Sequence, residues 1–126
     1  MFEELKNNMN NSYSKYSGYK VSSCLVTKDG KKYFGVNIEN ASFGATICAE
    51  RVAIFKAISE GENKNNFKEL NVLGSKEKAI PCFICRQVFT EFFNDDVIIN
   101  IYDQDGSVSS YTMKEICPLP FSLGEN

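Results

Sequence analysis

The alternation of apolar and polar residues predicts helices and strands that follow one another along the whole chain. Apolar side chains at helical spacing predict a short amphipathic helix over residues 2–12. Residues 21–27 and 32–38 are rich in β-branched and aromatic side chains and flank an Asp-Gly turn, which predicts a β-hairpin. A broad apolar arc over residues 48–60 predicts a largely buried helix, and Gly61 follows it where a left-handed cap is expected.

The second half of the chain repeats the alternation of strand and helix. Residues 70–74 are predicted to form a strand, and Pro81 opens a helix whose apolar stripe includes both cysteines of a Cys-x-x-Cys pair. Both of these cysteines are therefore expected to point inward. Residues 97–102 and 107–112 predict a second strand-turn-strand unit. The order α-β-β-α-β-α-β-β indicates an α/β fold in which helices cover a sheet.

Length and composition narrow the class of protein. A chain of 126 residues fits a single domain spanning 1–126, and 43% hydrophobic with 24% charged residues is typical of globular proteins. The formal net charge of -2 gives no general attraction to nucleic acid or anionic lipid, so we expect neither as a partner. Neither a signal peptide nor a membrane span is predicted, which favours a cytoplasmic protein with a small-molecule partner.

Cysteine and histidine usage restricts the chemistry further. The number of cysteines, five, is odd, which does not favour a disulfide framework, so metal binding or burial is expected to explain them. The chain has no histidine, which excludes Ser-His-Asp and Cys-His catalytic sites. Any zinc site must therefore use sulfur and oxygen ligands.

Two short motifs carry the candidate chemistry. Cys82 and Cys85 share a helix face and can reach one metal ion, although alone they also fit a redox pair or two core residues. The second motif is Cys48-Ala49-Glu50-Arg51, which adds a third thiolate and a glutamate that can act as acid and base. Glu50 alone would equally fit a carboxylate that complements the helix dipole. Together the motifs match the zinc nucleobase-deaminase signature in its all-cysteine form.

A third motif extends the match into a family resemblance. The chain carries Asn37-Ile38-Glu39-Asn40-Ala41, then Cys48–Arg51, then Pro81-Cys82-Phe83-Ile84-Cys85-Arg86-Gln87. In this order and spacing the motifs resemble the small homotetrameric cytidine deaminases, and the resemblance runs from Tyr16 to Phe121. It implies a three-layer α-β-α sandwich with a mixed sheet of about five strands. It also implies a homotetramer whose active sites are completed by neighbouring subunits.

The resemblance implies an activity and a role for each matched residue. The activity is hydrolytic deamination of cytidine and deoxycytidine to uridine and deoxyuridine, with release of ammonia, in pyrimidine salvage. Cys48, Cys82 and Cys85 would bind one zinc ion per subunit, and Glu50 would carry protons from the activated water to the ring and the leaving ammonia. The implied substrate-binding residues are Asn37 and Glu39 at the ribose, the Ala49 backbone at the pyrimidine edge, and Phe121 in a neighbouring subunit's site.

Three thiolates give the zinc site a formal charge of -1, which is expected to weaken the ion as a Lewis acid. The N-termini of two helices supply partial positive charge beside the sulfurs. Arg51 and Arg86 follow the ligands closely and can donate hydrogen bonds to sulfur, or can instead form surface ion pairs.

Departures from the family pattern concern local packing and the contacts between subunits, and leave the zinc ligands unaffected. Phe83 and Ile84 are bulky where the family has Gly-Ala, and Tyr19 stands where an aromatic Phe is usual.

Other functions stay open beside the one that the resemblance implies. The alternatives are a deaminase of the same fold acting on a blasticidin-like antibiotic or a free base, a nucleic-acid editing deaminase, and a structural zinc or redox protein. A structural zinc site needs Cys24 or Cys117 as a fourth ligand, whereas we expect both to be small buried residues.

Overall fold

A computed structural model describes residues 1–124 of the chain. The helices and strands are α1 (Phe2–Asn8), β1 (Val21–Thr27), β2 (Lys32–Val36), α2 (Ala49–Ser59), β3 (Phe67–Gly74), α3 (Phe83–Phe92), β4 (Ile98–Tyr102), β5 (Val108–Tyr111) and α4 (Met113–Ile116). The predicted order of elements is confirmed. The first helix is shorter than predicted, because the chain continues after Asn8 as a 3-10 turn. Gly61 has a φ of 93°, as expected for a left-handed cap after α2.

Helix α4 is the one α-helix of the described residues that the sequence did not predict. Its N-terminus is closed by a capping box in which the Thr112 hydroxyl accepts the Glu115 N–H and the Glu115 carboxylate accepts the Thr112 N–H. A helix of four residues is too short to produce a visible apolar period, so the pattern of hydrophobic positions did not predict it.

The five strands form one mixed sheet in the order β2-β1-β3-β4-β5. β1 runs antiparallel to both β2 and β3, β3 is parallel to β4, and β5 is antiparallel to β4. It follows that β2, β3 and β4 all point the same way. Helix α2 connects β2 to β3 and α3 connects β3 to β4, so both helices begin at the same edge of the sheet. This edge is where ligands bind in open α/β sheets.

Helices cover both faces of the sheet, which confirms the three-layer α-β-α arrangement. On one face Leu5 of α1 packs in a small cluster with Cys24 and Leu73. On the other face α2, α3 and α4 pack against the sheet and bury the main core, which includes Ile54 and Phe89. None of the helices within residues 1–124 combines the length and apolar character needed to cross a bilayer.

Candidate active site

Three cysteine sulfurs meet at the edge of the sheet where α2 and α3 begin. Cys48 is the N-cap residue of α2, Cys82 is the N-cap of α3, and Cys85 lies in the first turn of α3. Their Sγ atoms all lie within 4.8 Å of one another, and the Sγ atoms of Cys48 and Cys82 are 3.8 Å apart. The fold therefore joins two motifs that are 34 residues apart along the chain.

The burial of the Cys-x-x-Cys pair differs from the prediction. Cys85 is buried, but Cys82 is exposed, so the expectation that both point inward is wrong for Cys82. As the N-cap residue, Cys82 precedes the helix and does not share its apolar stripe. Its sulfur instead accepts the Cys85 backbone N–H at 3.4 Å, which satisfies one of the free donors of the first turn.

The donor set fits zinc. Two sulfurs bound to one tetrahedral zinc ion at ~2.3 Å lie about 3.8 Å apart, close to the observed spacing of Cys48 and Cys82. Within residues 1–124 no fourth cysteine joins the cluster. Cys24 is buried under α1, and the half-buried Cys117 lies beside the Arg86 carbonyl. Three protein ligands are typical of catalytic rather than structural zinc sites.

Arg51 lies against the sulfur cluster. Its Nη2 donates to the Cys48 Sγ at 3.5 Å, and its Nε is buried with no hydrogen-bond partner in the described residues. Hydrogen bonds from the Cys85 thiol and from Arg51 lower the pKa of Cys48 to about 5, although burial opposes the shift. The same Cys48–Cys85 hydrogen bond raises the pKa of Cys85, so Cys48 ionises before Cys85. The guanidinium thus compensates part of the negative charge that thiolates bring.

Glu50 lines the same pocket as Cys48 and Cys82. The residue lies in the first turn of α2 and is only 4% exposed. Burial raises the pKa of Glu50 to about 7, and the charge on Cys48 acts in the same direction, while the Glu50 backbone N–H and Arg51 act against it. A carboxyl group with such a pKa can both accept and donate a proton near neutral pH.

A cavity of about 480 Å³ opens over the cluster and is lined by Cys48, Cys82, Ala49 and Glu50. Asn37 and Glu39 form part of its wall. Ile38, which lies between them, exchanges two backbone hydrogen bonds of 3.0 Å with Ile47. This bridge holds the predicted ribose-binding segment beside the residue that precedes Cys48. The volume is within the range of small-molecule sites.

The two polar residues of this segment are held firmly by the rest of the chain. The Asn37 Oδ1 accepts from the Val21 N–H at 2.9 Å and the Ser12 hydroxyl at 2.5 Å, while its Nδ2 donates to the Tyr19 carbonyl. The Asn37 amide is therefore fixed in one orientation and keeps one N–H that these bonds do not use.

Glu39 accepts hydrogen bonds from the loop that precedes β1. Its Oε1 accepts the backbone N–H groups of Tyr16 and Ser17, and its Oε2 accepts the Ser17 hydroxyl. These hydrogen bonds, led by the Ser17 hydroxyl, lower the pKa of Glu39, so the carboxylate stays ionised at neutral pH.

The sequence of this chain matches a family that is defined by such a metal site. The family model for the cytidine and deoxycytidylate deaminase zinc-binding region matches residues 1–101. The chain belongs to this deaminase family. The match includes all three sulfur ligands and Glu50, which is the set that the geometry brings together.

Similar proteins share this deaminase sequence over most of their length. A cytidine deaminase of Sporosarcina psychrophila is 37% identical over 123 residues, which cover 97% of this chain and 89% of that protein. A cytidine deaminase of Halalkalibacterium halodurans is 38% identical over 111 residues, or 87% of this chain and 83% of that protein. The crystal structure of the Burkholderia pseudomallei cytidine deaminase matches with a TM-score of 0.88 and 35% identity, covering 94% of both chains.

Arg86 occupies a different place in this deaminase from the one the sequence predicted. Its Nε donates to the Pro81 carbonyl at 2.9 Å and its Nη1 to the Ile116 carbonyl at 3.0 Å, and the guanidinium stacks on the Phe83 ring. Among the described residues its guanidinium donates no hydrogen bond to Cys48, Cys82 or Cys85, so its predicted contact with the zinc ligands is wrong. The guanidinium of Arg86 is held by the two carbonyls and the ring, whereas that of Arg51 donates to a sulfur of the cluster.

The bulky side chains of the cysteine loop point into solvent. Phe83 is 78% exposed and Ile84 is 64% exposed, so neither crowds the sulfurs. Phe121 is 66% exposed and is not among the residues that line this pocket, and its carbonyl accepts from the Gln87 amide. The prediction that Phe121 reaches a neighbouring subunit's site stays a prediction.

Sequence reasoning missed the residues that position α2 in this deaminase. The Ser23 hydroxyl donates to the Ala49 carbonyl at 2.7 Å, which fixes the turn that carries Glu50. Gly35 lies opposite Ser23 in the sheet and makes room for the same turn. A glycine inside a strand is a signal of close backbone approach, and it was available in the sequence.

Proposed function

We propose that this protein is a hydrolase that deaminates cytidine and deoxycytidine to uridine and deoxyuridine with release of ammonia. The observation that carries the proposal is that Cys48 and Cys82 of the three-sulfur cluster line the same pocket as the buried Glu50. Hydrolytic deamination needs an activated water and a group that moves protons. The metal held by the sulfur cluster would supply the first, and Glu50 supplies the second.

The chain's own residues divide the work between metal binding and proton transfer. Cys48, Cys82 and Cys85 hold the zinc ion, which when bound lowers the pKa of water and so makes a nucleophile available near neutral pH. Glu50 accepts the proton that the water loses and delivers it to N3 of cytosine as C4 is attacked. The hydroxyl group added at C4 then loses its proton to Glu50, which passes it to the amino group, and the C4 carbonyl forms as the C4–N bond breaks and ammonia leaves. Cytidine and water are thereby converted to uridine and ammonia.

The pocket favours a free nucleoside over a nucleotide. Asn37 has one N–H left that can donate to a ribose hydroxyl, and the ionised Glu39 carboxylate can accept from another. The Ala49 backbone borders the space for the base. A phosphate would meet the negative charge of Glu39. Lys78 is the cationic residue of the pocket lining, and its ammonium group is bound to Ser109 and Asp103.

A substrate panel tests this assignment. The purified zinc-loaded protein is incubated separately with cytidine, deoxycytidine, cytosine, deoxycytidine monophosphate and blasticidin S, and product and ammonia are measured. We expect turnover of the two nucleosides, loss of turnover with a zinc chelator, and recovery when zinc is returned. Turnover of blasticidin S or cytosine alone would overturn the nucleoside assignment, and zinc-independent turnover would overturn the mechanism.

We further propose that the active enzyme is a homotetramer in which Phe121 completes a neighbouring site. The support is a set of exposed apolar side chains near the pocket and the C-terminal segment. These are Phe43, Phe83, Ile84, Leu119, Phe121 and Leu123. Mixed oligomers of Glu50→Gln and Phe121→Ala subunits should regain activity that neither variant has alone. A monomeric active enzyme in light-scattering measurements would contradict this proposal.

The five free cysteines fit a reducing compartment, and we place the activity in pyrimidine salvage in the cytoplasm. Fractionation of cells that express the protein tests the location. Growth of a pyrimidine-requiring strain on cytidine tests the pathway.

A further inference from the structure

The loop formed by residues 75–80 supplies one wall of the nucleoside pocket. It leads from the end of β3 to Pro81 and Cys82, and residues 77–80 line the cavity. Most of the loop is exposed, and Ala79 is its one buried residue. Loops with so little burial are mobile unless hydrogen bonds hold them, so the contacts of this wall decide how well the pocket is preformed.

The segment before β1 holds this loop at two points. Lys20 and Ser75 are joined by a backbone hydrogen bond of 2.8 Å and by a bond of 3.0 Å from the Lys20 N–H to the Ser75 hydroxyl. Further along, the Tyr19 hydroxyl donates to the Glu77 carbonyl at 3.1 Å. The first contact fixes where the loop leaves the sheet, and the second fixes its middle, next to the cavity.

Gly74 makes the second contact possible. A Cβ atom at position 74 would lie 2.2 Å from the Tyr19 hydroxyl and 2.7 Å from the Glu77 carbonyl oxygen. The φ angle of Gly74 is not in the left-handed region, so its backbone conformation is open to any residue. Gly74 is therefore needed because a side chain there would occupy the place of the Tyr19 hydroxyl and of the Glu77 carbonyl to which that hydroxyl donates.

We propose that Tyr19 is a positioning residue whose hydroxyl holds the 75–80 loop in the form that receives the nucleoside. The inference rests on the proposed function, because that function assigns the cavity to a nucleoside. Without the hydroxyl, the Glu77 carbonyl loses its donor, and part of the ordering of the loop then falls on substrate binding, although the contacts of Ser75 with Lys20 and of Lys78 with Ser109 remain. One intramolecular hydrogen bond contributes roughly a 2- to 10-fold effect on such an equilibrium.

The test compares Tyr19→Phe with Tyr13→Phe, a control whose ring is half exposed and lies outside the pocket lining. Amide hydrogen exchange of the substrate-free, zinc-loaded protein should be roughly 2- to 10-fold faster in residues 75–80 of Tyr19→Phe. The KM for cytidine should rise by a similar factor while kcat and zinc content stay close to wild type. Tyr13→Phe should match the wild type in all three measurements.

Two results would overturn the inference. One is loop exchange and KM in Tyr19→Phe that equal those of the wild type. The other is exchange that rises equally throughout the sheet, since that would make Tyr19 a general stabilising residue. A wild type that does not deaminate cytidine refutes the proposed function instead, and the exchange measurement still decides whether Tyr19 holds the loop.

Discussion

Gly35 in β2 lies directly against Ala49 at the start of α2. A Cβ atom at position 35 would lie 2.4 Å from the Ala49 carbonyl oxygen and 2.6 Å from the Ala53 backbone nitrogen. Both of these are backbone atoms of the helix and cannot move aside as a flexible side chain would. The absence of a side chain at Gly35 therefore sets how closely α2 approaches the sheet, and with it the position of Cys48 and Glu50.

Gly35→Ala should displace the first turn of α2. We expect a loss of about 1–3 kcal/mol in the free energy of unfolding, as for overpacked cores, with a melting temperature several degrees lower. Zinc content and deaminase activity should fall with it, because the turn carries Cys48 and Glu50. Calorimetry and metal analysis measure both effects.

Gly44→Ala is the matched control for this substitution. A Cβ at Gly44 would meet no described atom within 4 Å apart from its own local backbone and chain neighbours, and its φ is not in the left-handed region. This variant should melt close to the wild-type temperature. Equal stability of Gly35→Ala and Gly44→Ala would mean that the contact between β2 and α2 does not limit the site.

Arg51→Gln and Arg86→Gln should separate charge compensation from packing. Arg51 donates to a sulfur, whereas Arg86 bonds two carbonyls. We expect Arg51→Gln to lose zinc to a chelator roughly 10- to 100-fold faster, because the thiolates lose their cationic neighbour. Arg86→Gln should keep the wild-type rate of zinc loss but melt at a lower temperature. A faster zinc loss in Arg86→Gln alone would show that the observed contacts do not govern metal retention.

Glu50→Gln should retain zinc and lose turnover. Glutamine has nearly the same shape as glutamate but cannot accept and return a proton, so kcat should fall by a factor of roughly 100 to 10,000. The metal content should stay at one zinc per subunit, because Glu50 is not a ligand. Glu60→Gln, at the exposed far end of the same helix, serves as the control. Normal turnover in Glu50→Gln would remove this carboxyl group from the mechanism.

The local elements of the fold could be predicted because each has its own periodic pattern. The helix over 48–60 and the hairpin over 21–38 are encoded by neighbouring residues, and Gly61 marks a helix end through its left-handed backbone. The zinc ligands could be predicted because the two cysteine motifs together match the zinc deaminase signature and resemble a known family, whereas the spacing of either motif alone left other interpretations open. The burial of Cys82 was predicted wrongly. Periodicity placed this residue in the apolar stripe of α3, but the helix begins only at Phe83.

Contacts between distant segments escaped the sequence reasoning. The carbonyl partner of Arg86 in α4 lies 30 residues away, and the helix that presents it is too short to predict. The Tyr19 hydroxyl and the Glu77 carbonyl are 58 residues apart. Such pairs depend on the order of strands in the sheet, which no local pattern contains.

Glu39→Gln should raise KM for cytidine with a smaller effect on kcat. The Glu39 carboxylate accepts bonds from Tyr16 and Ser17, and an amide nitrogen at this position would face those donors without accepting from them. We expect KM to rise roughly 10- to 100-fold, the effect of losing a charged hydrogen bond at a ribose hydroxyl. Zinc content should not change, because the residue does not touch the sulfurs.

Uridine binding measured by calorimetry separates a role of Glu39 in substrate binding from a role in the chemical step, because the product occupies the pocket without turnover. Uridine affinity should fall with the rise in KM, and Glu91→Gln on the exposed side of α3 should leave both unchanged. The Ser17 hydrogen bonds lower the pKa of Glu39, so the carboxylate stays ionised near neutral pH. The KM of the wild type should therefore not change with pH through Glu39 across the neutral range. Unchanged KM and uridine affinity in Glu39→Gln would restrict this carboxylate to anchoring the loop at Tyr16 and Ser17.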